Sequence, residues 1–113
     1  MALHLFAGLR VRDYAAARPW YEQLFGEPSF FPHDTEAVWT VADERSVYVV
    51  EHPDAGSSVV TLFVDDLDGV VAGIAGRGLE PAERETYSNG VRKVTYRDAD
   101  GNEVGFGGAP VDG

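Results

Sequence analysis

Two stretches of this chain, Leu9-Arg10-Val11-Arg12-Asp13 and Leu62-Phe63-Val64-Asp65-Asp66, place leucine, valine and aspartate at matching positions 53 residues apart. The same shift pairs Glu27 with Glu80 and Pro28 with Pro81. Five ordered coincidences at like positions point to a duplicated unit of about half the chain. Working outward from each copy, an apolar strand opens the unit, Leu3 to Val11 in the first and Val59 to Val64 in the second, and an aspartate suited to capping a helix follows it. After Asp13, the residues Trp20, Tyr21, Leu24 and Phe25 fall at helical spacing, Gly26 supplies a stop, and Pro19 is expected in the first turn, where its missing N–H costs nothing. After Asp66, Leu67, Val70, Val71 and Ile74 recur at i, i+3, i+4 and i+7, with Gly76 and Gly78 ending the run.

The remainder of each half reads as strands: Ser29 to Phe31, Glu36 to Val41 and Ser46 to Glu51, then Glu83 to Tyr87, Val91 to Arg97 and Glu103 to Phe106. The layout is therefore βαβββ twice, an α+β fold. One domain over 1–113 is expected, with module one at about 3–52, a linker at 53–58 and module two at about 59–108. Neither half is large enough to bury a sheet alone, so the modules are expected to form a curled mixed sheet with a concave pocket face.

Composition narrows the function. Nine Lys and Arg against nineteen Asp and Glu leave a net charge of −10, which repels phosphate backbones and anionic lipid, so neither nucleic acid nor membrane is an expected partner. The acidity favours a cationic or neutral ligand, although solubility alone accounts for many acidic surfaces. The absence of cysteine excludes disulfides, thiolate metal sites and cysteine nucleophiles. The run from Met1 to Arg10 lacks the pattern of a secretory leader, and no segment approaches the roughly 20 apolar residues of a membrane helix. A cytoplasmic location is the expectation.

Val11-Arg12-Asp13 before a helix carrying Trp20-Tyr21 and Leu24-Phe25-Gly26, then Val64-Asp65-Asp66 and the turn Asp98-Ala99-Asp100-Gly101-Asn102, resemble the glyoxalase, bleomycin-resistance and extradiol-dioxygenase superfamily, also called vicinal oxygen chelate. The likeness spans nearly the whole chain. In metal-using members it implies three inward ligands, whose places here are taken by Phe6, Val59 and Gly105. None offers the imidazole or carboxylate that a divalent site needs, so no metal and no cofactor are expected. His4 and Glu103 each stand two residues before an emptied position, but the matching third residue is Ser57, a poor ligand. A pocket-wall histidine and a solvated carboxylate are the plainer readings. His33 and His52 read as loop residues.

Strand alternation sets His4, Phe6, Val59, Thr61, Phe63, Glu103 and Gly105 on the concave face, with Gly105 opening room, and Trp39, Glu51, Tyr87 and Arg92 as further candidates whose register is open by one residue. Aromatic walls with sparse polar groups suit a small-molecule site. The first functional reading is a metal-independent, homodimeric binding protein for an apolar, aromatic or cationic metabolite or antibiotic; the dimer is implied by the resemblance. The alternative is a metal-independent lyase or isomerase, with His4, Glu51, Tyr87 or Glu103 as acid or base.

Overall fold

A computed structural model describes residues 3–111; Met1, Ala2, Asp112 and Gly113, the ends of the expected domain span, lie outside the described residues. The elements run β1 (Leu5–Val11), α1 (Tyr14–Phe25), β2 (Phe30–His33), β3 (Glu36–Ala42), β4 (Arg45–Glu51), β5 (Val59–Phe63), α2 (Leu67–Gly76), β6 (Glu83–Thr86), β7 (Arg92–Arg97) and β8 (Glu103–Gly108). Each βαβββ unit builds its own four-stranded mixed sheet, in the orders β1-β4-β3-β2 and β5-β8-β7-β6. The first strand of each unit lies parallel to the last, and the other neighbours are antiparallel. The duplication legible in sequence is thus a duplication of topology, and the curled mixed sheet consists of two separate sheets.

Both repeated aspartates cap helices. Asp13 Oδ1 accepts the Ala16 N–H at 3.2 Å and Asp66 Oδ1 the Gly69 N–H at 3.0 Å, satisfying donors that the first helical turn leaves orphaned. Capping at Asp13 starts α1 at Tyr14, so Pro19 lies inside the helix and not in its first turn, as the sequence suggested. One intrahelical bond is lost there. The helix continues because Tyr21 and Leu24 beyond the proline are completely buried.

Alternation gives each sheet an inner face, packed on the helices, and an outer face turned away from them. Leu9, Val11, Ala37, Trp39, Val47 and Val49 of the first sheet and Val94, Tyr96, Val104 and Phe106 of the second join α1 and α2 in a single apolar core. An aromatic chain crosses between modules: Trp39 to Phe25 at 5.7 Å, Phe25 to Phe106 at 6.4 Å and Phe106 to Tyr96 at 6.0 Å between ring centroids. Because both inner faces feed this shared core, both outer faces point away from it.

A polar clasp reinforces the join. Asp98 Oδ2 accepts from the Tyr21 hydroxyl at 2.6 Å and from Asn102 Nδ2 at 2.9 Å, while its Oδ1 accepts the backbone N–H groups of Asp100 and Asn102. Asn102, fully buried, also donates to the Arg10 carbonyl at 2.8 Å and accepts from the Ser58 N–H at 3.0 Å. Burial, and next the bond to Asp98, hold the Tyr21 phenol well above the ordinary tyrosine range.

Gly105-Phe106-Gly107-Gly108 forms the last four residues of β8, which lies between β5 and β7. Side chains lie directly over its glycines: a Cβ on Gly108 would meet Leu67 Cβ at 2.8 Å, and one on Gly107 would meet the Phe63 ring at 3.2 Å. Close approach of neighbours, and not a turn, places glycine here.

Candidate functional site

The candidate residues fall on three surfaces. On the outer face of the second sheet, β5–β8 pairing sets Val59 beside Glu103, Thr61 beside Gly105 and Phe63 beside Gly107. Val59 and Phe63 are 67% and 66% exposed, an unusual outlay of large apolar side chains on a strand. Tyr87, just past β6 and opposite Val91, extends this face by alternation and is likewise exposed. On the outer face of the first sheet, Phe6 is 49% exposed and stacks on His4, with centroids 4.4 Å apart and planes inclined by 19°. Phe6, Val59 and Gly105 thus occupy outer faces, but of two different sheets.

Trp39, Glu51 and Arg92 belong to the inner side. Trp39 is 2% exposed in the core, and its indole N–H donates to the Gly26 carbonyl at 2.8 Å, closing the end of α1. Glu51 Oε1 accepts the Tyr14 N–H at 3.1 Å, so it serves the start of the same helix. Arg92 pairs with Asp68 of α2 at 2.8 Å. All three sit one residue out of phase with the outer face, the register ambiguity that alternation alone leaves open.

Gly105 does not open empty space. Lys93 of β7 lies across it, so a Cβ on Gly105 would meet Lys93 Cε at 2.7 Å, with Nζ at 3.6 Å and Thr61 Oγ1 at 3.5 Å. Sequence reading missed Lys93, the chain's single lysine, which pairs with Gly107 across β7 and β8 and so lies diagonal to Gly105. Thr61 and Phe63 also line an open cleft of about 400 Å³ along the free edge of β5, closed on its other side by Leu5, Ala7, Val41 and Val47 of the first sheet. The cleft is chiefly apolar, with Ser46 and Arg45 as its polar groups on that side.

The positions that correspond to metal ligands carry no donor atoms. The phenyl, isopropyl and hydrogen side chains of Phe6, Val59 and Gly105 cannot ligate, and no group of three His, Asp or Glu side chains converges among the described residues. His4 Nε2 is engaged with Ser46 Oγ at 2.7 Å, and Glu103 with Arg97 at 3.0 Å. Glu51 is spent on the helix cap. These carboxylates and the imidazole belong to separate local contacts.

A crystal structure described as a glyoxalase/bleomycin resistance protein from Catenulispora acidiphila superposes with a TM-score of 0.92 at 54% identity, covering 96% of this chain and 100% of that one. At lower identity, 18%, a bleomycin-binding protein complexed with bleomycin gives a TM-score of 0.74 over 96% of this chain and 99% of its own. A lactoylglutathione lyase from Agrobacterium tumefaciens gives 0.74 at 17% identity, over 96% and 95%. The last two show the fold alone. No family model matches the chain, and no curated protein does. No helix among the described residues is long and apolar enough to cross a membrane.

Proposed function

Since the chain belongs to the glyoxalase/bleomycin resistance protein family, we propose that it is a metal-independent binding protein for a small apolar or aromatic molecule, working as a homodimer. The observation that carries this reading is the exposure of Phe6, Val59 and Phe63 on outer faces that no other described residue of the chain covers. Apolar side chains left in water each forgo about 1.5–3 kcal/mol of burial, which a second copy and an enclosed ligand recover. A two-fold partner covers the same patch on both chains. A neighbour of the same fold is described as a bleomycin-binding protein complexed with bleomycin, which supports binding as the direction, and no group of three His, Asp or Glu side chains converges among the described residues. Such a protein acts inside the cytoplasm by holding its ligand in stoichiometric amounts.

The test combines light scattering with a thermal-shift screen of metabolites and antibiotics, bleomycin included. A particle of twice 12.3 kDa is expected, with ligands that raise Tm and are recovered unchanged. A monomer at micromolar concentration, or conversion of the bound molecule to product, would overturn the reading.

A further inference from the structure

We propose that the ligand carries a carboxylate and that Lys93 holds it; this rests on the reading that the outer face of β5–β8 binds the ligand. Lys93 is the single lysine in a chain of net charge −10. It sits on the outer face of β7, opposite Gly107 of β8 and diagonal to Gly105, over which its side chain reaches, and is half-buried. Among the described residues no carboxylate oxygen lies within 4 Å of its ammonium, whereas Arg97 on the same face is paired with Glu103 at 3.0 Å and Glu83 at 3.8 Å. Glu85 is its cross-strand neighbour on β6 but makes no ion pair with it. Lys93 is therefore the uncompensated cation of this face.

Its placement is built. The absence of a side chain at Gly105 allows the lysine stem to lie flat on β8, because a Cβ there would come within 2.7 Å of Cε. The same point is 3.6 Å from Nζ and 3.5 Å from Thr61 Oγ1, so an ammonium and a hydroxyl border one spot on the sheet. Two positions along, the exposed Phe63 ring lies over Gly107. A carboxylate accepting from Nζ and from the Thr61 hydroxyl would lay its apolar body on Phe63. Charge-assisted bonds of this kind are the strong ones, and aromatic stacking adds area without opposing charge. The overall acidity, which taken alone favours cations, is reversed at this point.

Three probes of one shape and different charge test it: 2-naphthoate, 2-naphthamide and 2-naphthylmethylammonium, titrated calorimetrically into the whole protein. Wild type is expected to bind the naphthoate at least about tenfold tighter than the ammonium probe. Lys93→Met should remove that preference, Lys93→Arg should keep it, and Phe63→Ser should weaken all three probes. An ammonium probe bound as tightly as the naphthoate, or a preference that survives in Lys93→Met, overturns the role of Lys93. If all three bind alike and Phe63→Ser weakens them, the site stands and only the carboxylate is refuted. Failure of every probe to bind at millimolar concentration, or binding indifferent to Phe63→Ser, refutes the outer-face site and the carboxylate together.

Discussion

Replacing Asn102 by alanine should loosen the join between modules more than any other single change at the surface turns. Its side chain makes three hydrogen bonds, to the Arg10 carbonyl at 2.8 Å, to Asp98 Oδ2 at 2.9 Å and from the Ser58 N–H at 3.0 Å. Each such bond contributes about 1 kcal/mol net, and the bond to a charged carboxylate somewhat more. The loss is about 3 kcal/mol, a large part of the roughly 5–15 kcal/mol that holds a domain together. With an unfolding entropy of about 2.1 cal/mol/K per residue, a loss of that size lowers Tm by about 12 °C. Circular dichroism melts of wild type and Asn102→Ala at one protein concentration, with urea titrations for the free energy, measure it. Asn102→Asp keeps the shape but turns a donor into an acceptor facing Asp98, so it should be at least as destabilising at neutral pH and partly recover on acidification. A Tm loss under about 4 °C in Asn102→Ala would show that the Asn102 bonds contribute little to the join between modules.

Tyr96 is 1% exposed and its hydroxyl has no partner among the described residues, so Tyr96→Phe should raise stability by about 1 kcal/mol, read as a higher Tm. Burial raises the phenol of Tyr96, and burial with the Asp98 bond raises that of Tyr21. An unfolded tyrosine loses its proton near pH 10 while these two keep theirs, so their stabilisation is complete below about pH 10 and falls as pH rises beyond it. Urea midpoints across that range should show the decline, and Tyr96→Phe should flatten it. Gly105→Ala should cost about 1 kcal/mol or less, because the displaced neighbour is a flexible lysine end, yet it should weaken naphthoate binding in the same calorimetric titration. Elemental analysis should find no stoichiometric zinc, nickel, iron or manganese in the purified protein, and a chelator should leave Tm unchanged.

The repeat of Leu, Val and Asp carried most of the fold, because a strand followed at once by a capping aspartate is a local signal. Both aspartates do cap, and the strand order repeats with them. The proline was misplaced for a local reason as well: Asp13 fixes the helix start, and the buried Tyr21 and Leu24 carry the helix past Pro19. The site was less legible. Val59, Thr61 and Phe63 followed from alternation along one unambiguous strand, whereas Trp39, Glu51 and Arg92 sit where a one-residue shift decides the face, and the tertiary partners that settle it, Gly26, Tyr14 and Asp68, are remote in sequence. Lys93 was missed because its meaning depends on the glycine of a neighbouring strand. A lone lysine between Arg92 and Val94 reads as solvated until Gly105 is placed beneath it. Asn102 read only as part of a turn, and its tie to Arg10 is invisible without the fold.

The clasp at Asn102 also bears on what the two halves can do when severed. Arg10 offers its carbonyl and Arg12 its N–H to the turn at 98–102, while Arg77 reaches back to the carbonyls of Gln23 and Leu24 at 2.7 and 3.0 Å, so each half holds donors and acceptors addressed to the other. Gly56, whose backbone at φ +100° leaves no room for a Cβ beside the Asp100 carbonyl, stays with the second half if the chain is cut between Asp54 and Ala55. Such a cut would leave two fragments, each with an unsealed apolar face and a matching set of contacts addressed to the other, the arrangement a split pair needs.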